Sequence, residues 1–198
     1  MKPTYALVVI GTSWGGLHAL TTLLQGIPRA FSIPLIVVQH RGREVMSILP
    51  ELLQEHTSLT VGDAEDKEPL LAHHVYLAPA DYHLLVEQGF ISLSTDPFVK
   101  YSRPSIDVTF QSAADSYGER TIGVVLTGAN DDGAQGLRRI ADRNGYAIVQ
   151  DPATAESPAM PAAALRAVPG ARVLQLAQIA SYLTSLTARP VVQQGHSA

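Results

Sequence analysis

The feature that most constrains this chain is a short apolar run near its start that ends abruptly in glycines. Residues 7–10 have the sequence LVVI, residues 11–16 have the sequence GTSWGG, and leucines at helical spacing follow from Leu17. A buried, β-branched run that turns sharply into a helix is typical of a strand in a parallel sheet. We therefore predict an α/β protein whose first strand ends at this turn.

Ser13 has the spacing of a nucleophile elbow, Gly11-x-Ser13-x-Gly15. The helix that follows would direct its free N–H groups to the same place, where an oxyanion or a phosphate would be stabilised. A phosphate-binding loop would give a similar string. Against that alternative, Ser13 occupies the second glycine position of the dinucleotide fingerprint, and the P-loop lysine is missing.

Further apolar runs predict the rest of the sheet. We expect buried strands at 35–39, 121–126 and 147–150, short ones at 75–78 and 172–175, and a hairpin from 82–87 and 90–94 joined at Gln88-Gly89. Helical patterns start near 17, 44, 106, 134, 160 and 176. Ser105 is a candidate N-cap for the helix that starts near 106. Residues 63–68 are interpreted as a charged loop. The prediction is a doubly wound, mostly parallel sheet with helices on both faces and a small antiparallel hairpin. One domain is expected over 1–188, with a disordered tail at 189–198.

The composition excludes several classes of protein. A chain of 198 residues that is 46% hydrophobic and 16% charged is typical of a folded globular domain rather than a disordered one. Its net charge of −4 gives no electrostatic basis for binding nucleic acid, and no apolar run is long enough to predict membrane insertion. The absence of cysteine excludes disulfides and thiolate chemistry, and it is compatible with a cytoplasmic location. His73, His74 and His83 lack metal-ligand spacing and are interpreted as surface residues or local hydrogen-bonders. Neither a metal nor a cofactor is predicted for this chain.

Polar candidates for catalysis follow three of the predicted strands. Ser13 follows the first strand, His40 the second, and the pair Asp131 and Asp132 the strand that starts at Thr121. The carboxyl ends of parallel strands meet at one edge of a sheet, so these side chains can converge there. A serine, an imidazole that takes its proton and a carboxylate that orients the imidazole would form a nucleophilic triad. The order Ser, His, Asp differs from the order in α/β-hydrolases and argues against that family.

Six motifs in order resemble the catalytic domain of the CheB protein-glutamate methylesterases of bacterial chemotaxis. They extend from about Val8 to about Leu165 and are IGTSWGG, the pair Gln39-His40, LAPADYH, RPSIDVTF, LTGANDDGAQGL and QDPATAESPAMP. The resemblance implies that Ser13 is the nucleophile, His40 the general base and Asp132, rather than Asp131, the third member. It also implies hydrolysis of glutamate methyl esters on a receptor helix, with deamidation of glutamine as a second activity.

The chain departs from the family pattern beside the expected oxyanion hole. Ala129 and Asn130 replace a usual methionine and glycine, and Trp14 replaces a usually small residue. The backbone N–H groups of Trp14 and Ala129 are still expected to receive the oxyanion, so an altered pocket shape is predicted rather than lost chemistry. No receiver domain is recognised in this sequence.

Two other classes of function stay open at this point. One is a non-catalytic signalling module that binds a partner in the same cleft, and the other is a nucleotide-binding α/β protein. A rim of basic residues could attract an acidic receptor helix, but isolated surface charges contribute little, so plain surface charge is the favoured interpretation. These residues are Arg41, Arg43, Lys100 and Arg103.

Overall fold

The computed structural model describes residues 5–41 and 48–187. The predicted tail at 189–198, Arg43 and the predicted helical residues 44–47 lie outside the described residues. The elements in chain order are β1 (Leu7–Thr12), α1 (Gly16–Gly26), β2 (Leu35–Gln39), α2 (Leu49–Gln54), β3 (Thr60–Asp63), β4 (His74–Leu77), β5 (His83–Glu87), β6 (Phe90–Ser94), α3 (Ile106–Tyr117), β7 (Thr121–Val125), α4 (Ala134–Asp142), β8 (Tyr146–Gln150), α5 (Ala159–Ala167), β9 (Arg172–Leu174) and α6 (Leu176–Thr187).

Seven parallel strands form the main sheet, in the order β3-β4-β2-β1-β7-β8-β9. The central strand β1 pairs with β2 on one side, where Thr12 lies opposite Gln39, and with β7 on the other, where Gly11 lies opposite Val125. The chain builds outward from β1 through β2 and β4, and later returns to β7 on the opposite side. Ligand sites in open α/β sheets form at such a switch point, beyond the carboxyl ends of the strands.

The side chains of β1 point alternately to the two faces of the sheet, where they contribute to two hydrophobic layers. Val8 and Ile10 face a layer that also contains leucines of α1 and α6, including Leu20 and Leu183. Leu7 and Val9 face the other layer, which contains apolar residues of α3, α4, α5 and the hairpin. Because both faces are covered, the strands can be apolar at every position, which explains their continuous runs in the sequence.

The predicted fold class is confirmed, and so is the hairpin, since β5 and β6 pair as a separate antiparallel sheet. The sequence predicts no strand at 60–62 and includes Asp63 in a charged loop, but these residues form β3, which pairs in parallel with β4 at the sheet edge. Its side chains are mostly exposed or half-buried, so its sequence lacks the apolar run of an inner strand. Helix α2 begins at Leu49 with Pro50 in its first turn, where proline is tolerated. Within the described ranges, no helix is both long and apolar enough to cross a membrane.

Candidate active site

Ser13 lies on the turn between β1 and α1, at the carboxyl edge of the sheet. Its backbone N–H donates to the carbonyl oxygen of Thr127, which follows β7, at 3.0 Å. Gly15 closes the turn with φ +78°, in the left-handed region that favours glycine. Gly11 is needed for space: a Cβ there would lie 2.3 Å from Cγ2 of Ile106 in α3. The glycines of the elbow therefore serve both the turn and the packing of a third element.

The Ser13 carbonyl group is held by two donors. Gln39 donates from Nε2 at 2.9 Å, and the backbone N–H of Gly16 donates at 2.9 Å. Because the Ser13–Trp14 peptide bond is planar and trans, fixing this oxygen directs the Trp14 N–H to the opposite side. Among residues 5–41 and 48–187, no protein acceptor takes the backbone N–H of Trp14 or that of Ala129. Both groups therefore have a free hydrogen to offer an oxyanion.

His40 follows β2 directly and contacts Asp132, its Nε2 lying 2.9 Å from Oδ2. The Asp132 side chain is completely buried, whereas the imidazole is 15% exposed. Four further donors surround the carboxylate: the Ser105 hydroxyl at 3.0 Å and the backbone N–H groups of Ile106 at 2.7 Å, Asp107 at 3.0 Å and Gly133 at 3.0 Å. The first turn of α3 thus binds this carboxylate, which explains how a charged group is stabilised in the interior.

These contacts determine the charge of Asp132. Burial by itself raises the pKa of the Asp132 carboxyl, but the hydrogen bonds from His40, Asp107 and Ile106 outweigh burial and hold that pKa below its usual range. An ionised carboxylate only accepts hydrogen bonds, so the proton in the contact with His40 belongs to Nε2. The other ring nitrogen, Nδ1, then carries the lone pair that a general base needs.

Ser13 and His40 line the same cavity, which has a volume of about 590 Å³. The exposed side chains of Trp14 and Glu156 form part of its wall. Within the described part of the chain, the Ser13 hydroxyl makes no hydrogen bond to the imidazole. Catalytic hydrogen bonds in unliganded sites are often long and shorten only when substrate binds, so this arrangement remains suited to proton transfer.

A second cavity, of about 460 Å³, lies on another side of His40 and is bordered by Arg41, Phe98, Tyr101 and Arg103 among others. The predicted basic rim has local partners where it is described. Arg41 pairs with Asp63 at 2.6 Å and Arg103 with Asp81 at 2.7 Å. Lys100 lies 3.1 Å from Asp107 and 3.4 Å from Asp131. The Arg41 and Arg103 side chains are only 10% and 13% exposed. The interpretation of these two residues as plain surface charge is therefore wrong: they are largely buried and held in local ion pairs.

The structure distinguishes the two adjacent aspartates that the sequence offered. Asp132 is buried against His40, whereas the Asp131 side chain is 66% exposed and pairs with Lys100. Ser105 is the N-cap residue of α3, as predicted, but its hydroxyl donates to Asp132 and makes no side-chain cap. In the part of the chain that the structure describes, no three His, Asp or Glu side chains are grouped to hold a metal ion.

Sequence reasoning did not assign roles to several residues that shape the site. The sequence motif contains Gln39 only as the residue before His40, but its Nε2 contacts the carbonyl oxygens of both Ser13 and His40, at 2.9 and 3.2 Å. Asn130, treated as a change of pocket shape, contacts the imidazole itself. For Gln39 a signal was available, since it is the last residue of a strand beside the central one. For Asn130 only its position in the loop after β7 pointed to the site.

Comparison with known proteins gives a consistent result. The family model for CheB methylesterase matches residues 8–183. A protein of Leptospira interrogans (serovar copenhageni, strain Fiocruz L1-130) is named putative protein-glutamate methylesterase/protein-glutamine glutaminase. It is 43% identical to this chain over 183 residues, which are 92% of this chain and 95% of that protein. The protein-glutamate methylesterase FrzG of Myxococcus xanthus is 39% identical, covering 91% of this chain but 54% of its own length. The crystal structure of the Thermotoga maritima CheB methylesterase catalytic domain has a TM-score of 0.88 and 32% identity, covering 93% of this chain and 100% of that one.

Proposed function

The chain belongs to the CheB methylesterase family, and on that premise we propose that it hydrolyses glutamate methyl esters on a receptor-like protein. In this proposal Ser13 is the nucleophile, His40 the general base and Asp132 the carboxylate that orients the imidazole. The observation that supports it most is the His40 ring itself, which contacts Asp132 at 2.9 Å and also lines the cavity of Ser13.

Acylation follows from the protonation states of the site. Nε2 of His40 carries a proton and contacts Asp132, so Nδ1 is the atom that takes the proton of the Ser13 hydroxyl. The Ser13 oxygen attacks the ester carbonyl, and the resulting oxyanion accepts from the backbone N–H groups of Trp14 and Ala129. The tetrahedral intermediate then expels methoxide, which leaves as methanol with the proton from Nδ1, and the glutamyl group stays esterified to Ser13.

Deacylation reverses the proton transfers. A water molecule gives one proton to Nδ1 of His40 and attacks the glutamyl–Ser13 ester. The second tetrahedral intermediate releases the glutamate side chain as a carboxylic acid, which ionises, and returns the proton to the Ser13 oxygen. With a glutamine side chain as substrate the same steps release ammonia instead of methanol. The family membership also supports a methylated receptor helix as the protein substrate and the cytoplasm as the compartment.

The decisive experiment measures methanol released from a synthetic helical peptide that carries one glutamate γ-methyl ester. The Ser13→Ala variant should lose about 10³-fold or more of the rate, because no other group can form the acyl-enzyme. Ser181→Ala, a change to a serine exposed on α6, is the matched control and should keep the full rate. Acid quenching during turnover should also leave the glutamyl peptide attached to Ser13, detected by peptide mass spectrometry.

Each outcome has a distinct meaning. Activity that survives Ser13→Ala would overturn the serine mechanism. A wild-type protein that binds the peptide but releases no methanol would instead identify a non-catalytic binding module of the same fold.

A further inference from the structure

The side chain of Asn130 joins the loop after β7 to the imidazole. Its Oδ1 accepts the backbone N–H of Asp132 at 3.1 Å, and its Nδ2 lies 3.4 Å from Nδ1 of His40. The first contact, from a side chain to the N–H two residues on, is an Asx-turn. Because the oxygen of the amide takes the Asp132 N–H, it is the NH₂ end that faces the imidazole.

The partner atom on the imidazole is an acceptor. Nε2 carries the ring proton, since it contacts the ionised carboxylate of Asp132 at 2.9 Å, and a neutral ring therefore has its lone pair on Nδ1. The amide N–H of Asn130 points at the atom that must take the proton of Ser13. A donor at that place stabilises the unprotonated ring and competes with the serine hydroxyl for the same lone pair.

We infer that Asn130 is a positioning residue that caps Nδ1 of His40 in the resting site and withdraws when Ser13 transfers its proton. This inference rests on the proposed function, in which Nδ1 is the base. At 3.4 Å the hydrogen bond is long and correspondingly weak, so the cap moderates the rate rather than blocking it. The Asx-turn holds the amide ready to return after each turnover.

Other charged groups around the ring form a constant background. Asp132 contacts Nε2, and Arg41 and Arg103 line the cavity on one side. His18 and Glu156 line the cavity that contains Ser13. None of them changes when Asn130 is substituted, so a difference between variants at this position reports the group that faces Nδ1.

Two variants separate the cap from the turn. Asn130→Ser keeps a side-chain oxygen for the Asp132 N–H but is too short to reach the imidazole. Asn130→Asp also keeps the turn, and it is nearly isosteric, but it presents an acceptor to Nδ1 instead of a donor. Asp131→Asn is the control, because it alters the adjacent exposed residue and leaves the contact with His40 in place.

Asn130→Ser, which removes the cap, should raise kcat/KM on the methyl-ester peptide by about two- to fivefold on the high-pH plateau. This increase corresponds to the loss of one weak hydrogen bond. The midpoint of the kcat/KM pH profile should also move to higher pH in Asn130→Ser, because the unprotonated ring loses a donor. In Asn130→Asp the midpoint should move further in the same direction, since a carboxylate beside the ring favours its protonated form. A plateau and a midpoint that are unchanged in Asn130→Ser, or a plateau that falls, would overturn the inference.

A second readout does not depend on activity. The ¹⁵N chemical shift of His40 Nδ1, assigned by its loss in His40→Gln, reports whether that nitrogen accepts a hydrogen bond. We expect this resonance to move in Asn130→Ser and not in Asp131→Asn. A resonance that stays in place overturns the cap, whereas a moved resonance in a protein without esterase activity would contradict the proposed function alone.

Discussion

The backbone N–H of Asp107 donates to Oδ1 of Asp132 across 3.0 Å, and the pKa values of these two buried carboxyls move in opposite directions. Burial raises the pKa of Asp107, and the negative charge of Asp132 raises it further, although the Gly136 N–H and Lys100 partly oppose this. Burial also raises the pKa of Asp132, but the hydrogen bonds from His40, Asp107 and Ile106 outweigh it and lower that pKa overall. The pair therefore concentrates the negative charge on the carboxylate that contacts His40.

The first prediction concerns stability against pH. For Asp132 the folded pKa lies below the unfolded value of about 3.9, so its contribution is present above that pH and is lost as the pH falls through the folded value. For Asp107 the folded pKa is raised, so its contribution is complete below about 3.9 and declines as the pH rises through the folded value. Asp107→Asn should therefore gain stability relative to wild type as the pH rises across that upper window.

Urea denaturation at a series of pH values from about 3 to 7 measures this difference. Asp142→Asn, at an exposed i,i+4 pair with Arg138, is the control and should follow the wild-type curve closely. If the curves of Asp107→Asn and wild type ran parallel over the whole range, the assigned direction for Asp107 would be wrong.

The second prediction separates the adjacent aspartates. Asp132→Asn replaces the charged acceptor of the His40 proton with an amide that can hold the wrong tautomer of the ring, so kcat should fall by about 10³- to 10⁴-fold. Asp131→Asn removes a charge from an exposed side chain paired with Lys100, and its kcat should stay within about twofold of wild type. Turnover of the methyl-ester peptide measures both, after circular dichroism has shown that each variant is folded. Similar losses in the two variants would remove Asp132 from its assigned role.

The third prediction concerns Gln39. Gln39→Met removes the amide that holds the Ser13 carbonyl oxygen, and a misdirected Trp14 N–H should lower kcat by about tenfold or more with little change in KM. In Gln39→Glu a carboxylate would face two carbonyl oxygens at neutral pH, so the fall in kcat should be larger than in Gln39→Met. This fall should diminish on acidification, because a protonated carboxyl group can again donate a hydrogen bond. Gln178→Met, on the surface of α6, serves as the control. An increase in KM alone would indicate that Gln39 contacts substrate instead.

The fourth prediction tests the packing below the elbow. Gly11→Ala places a Cβ 2.3 Å from Cγ2 of Ile106, so either α3 or β1 must shift, and the free energy of unfolding should fall by about 1–3 kcal/mol. Activity should fall as well, because the Ile106 N–H donates to Asp132. Gly62→Ala in β3 is a matched control, since its Cβ would meet nothing within 4 Å. Chemical denaturation measures both, and equal stabilities would show that the close approach at Gly11 is readily relieved.

Local patterns in the sequence were sufficient for the class of fold. Runs such as 35–39 and 121–125 are apolar because both faces of the sheet are covered. A sheet with one face exposed to water would instead have strands in which apolar and polar residues alternate. Strand β3 lacks this signal because it lies at an edge, where the pairing with β4 rather than side-chain burial defines it. The convergence of Ser13, His40 and Asp132 was also predictable in outline, since parallel strands end at one edge; their catalytic roles stay predictions.

By itself the sequence determined the α/β class, the position of the serine turn and the set of polar residues at the strand ends, because these depend on periodicity and turn chemistry within short segments. Only the tertiary structure decided that the Ser105 hydroxyl donates to Asp132 rather than capping its own helix, and that the Asn130 amide faces His40. His40 and Asp132 are 92 positions apart, and Ser105 approaches them from a third element. Contacts of this kind depend on the register and packing of whole helices and strands, which no local pattern of residues specifies.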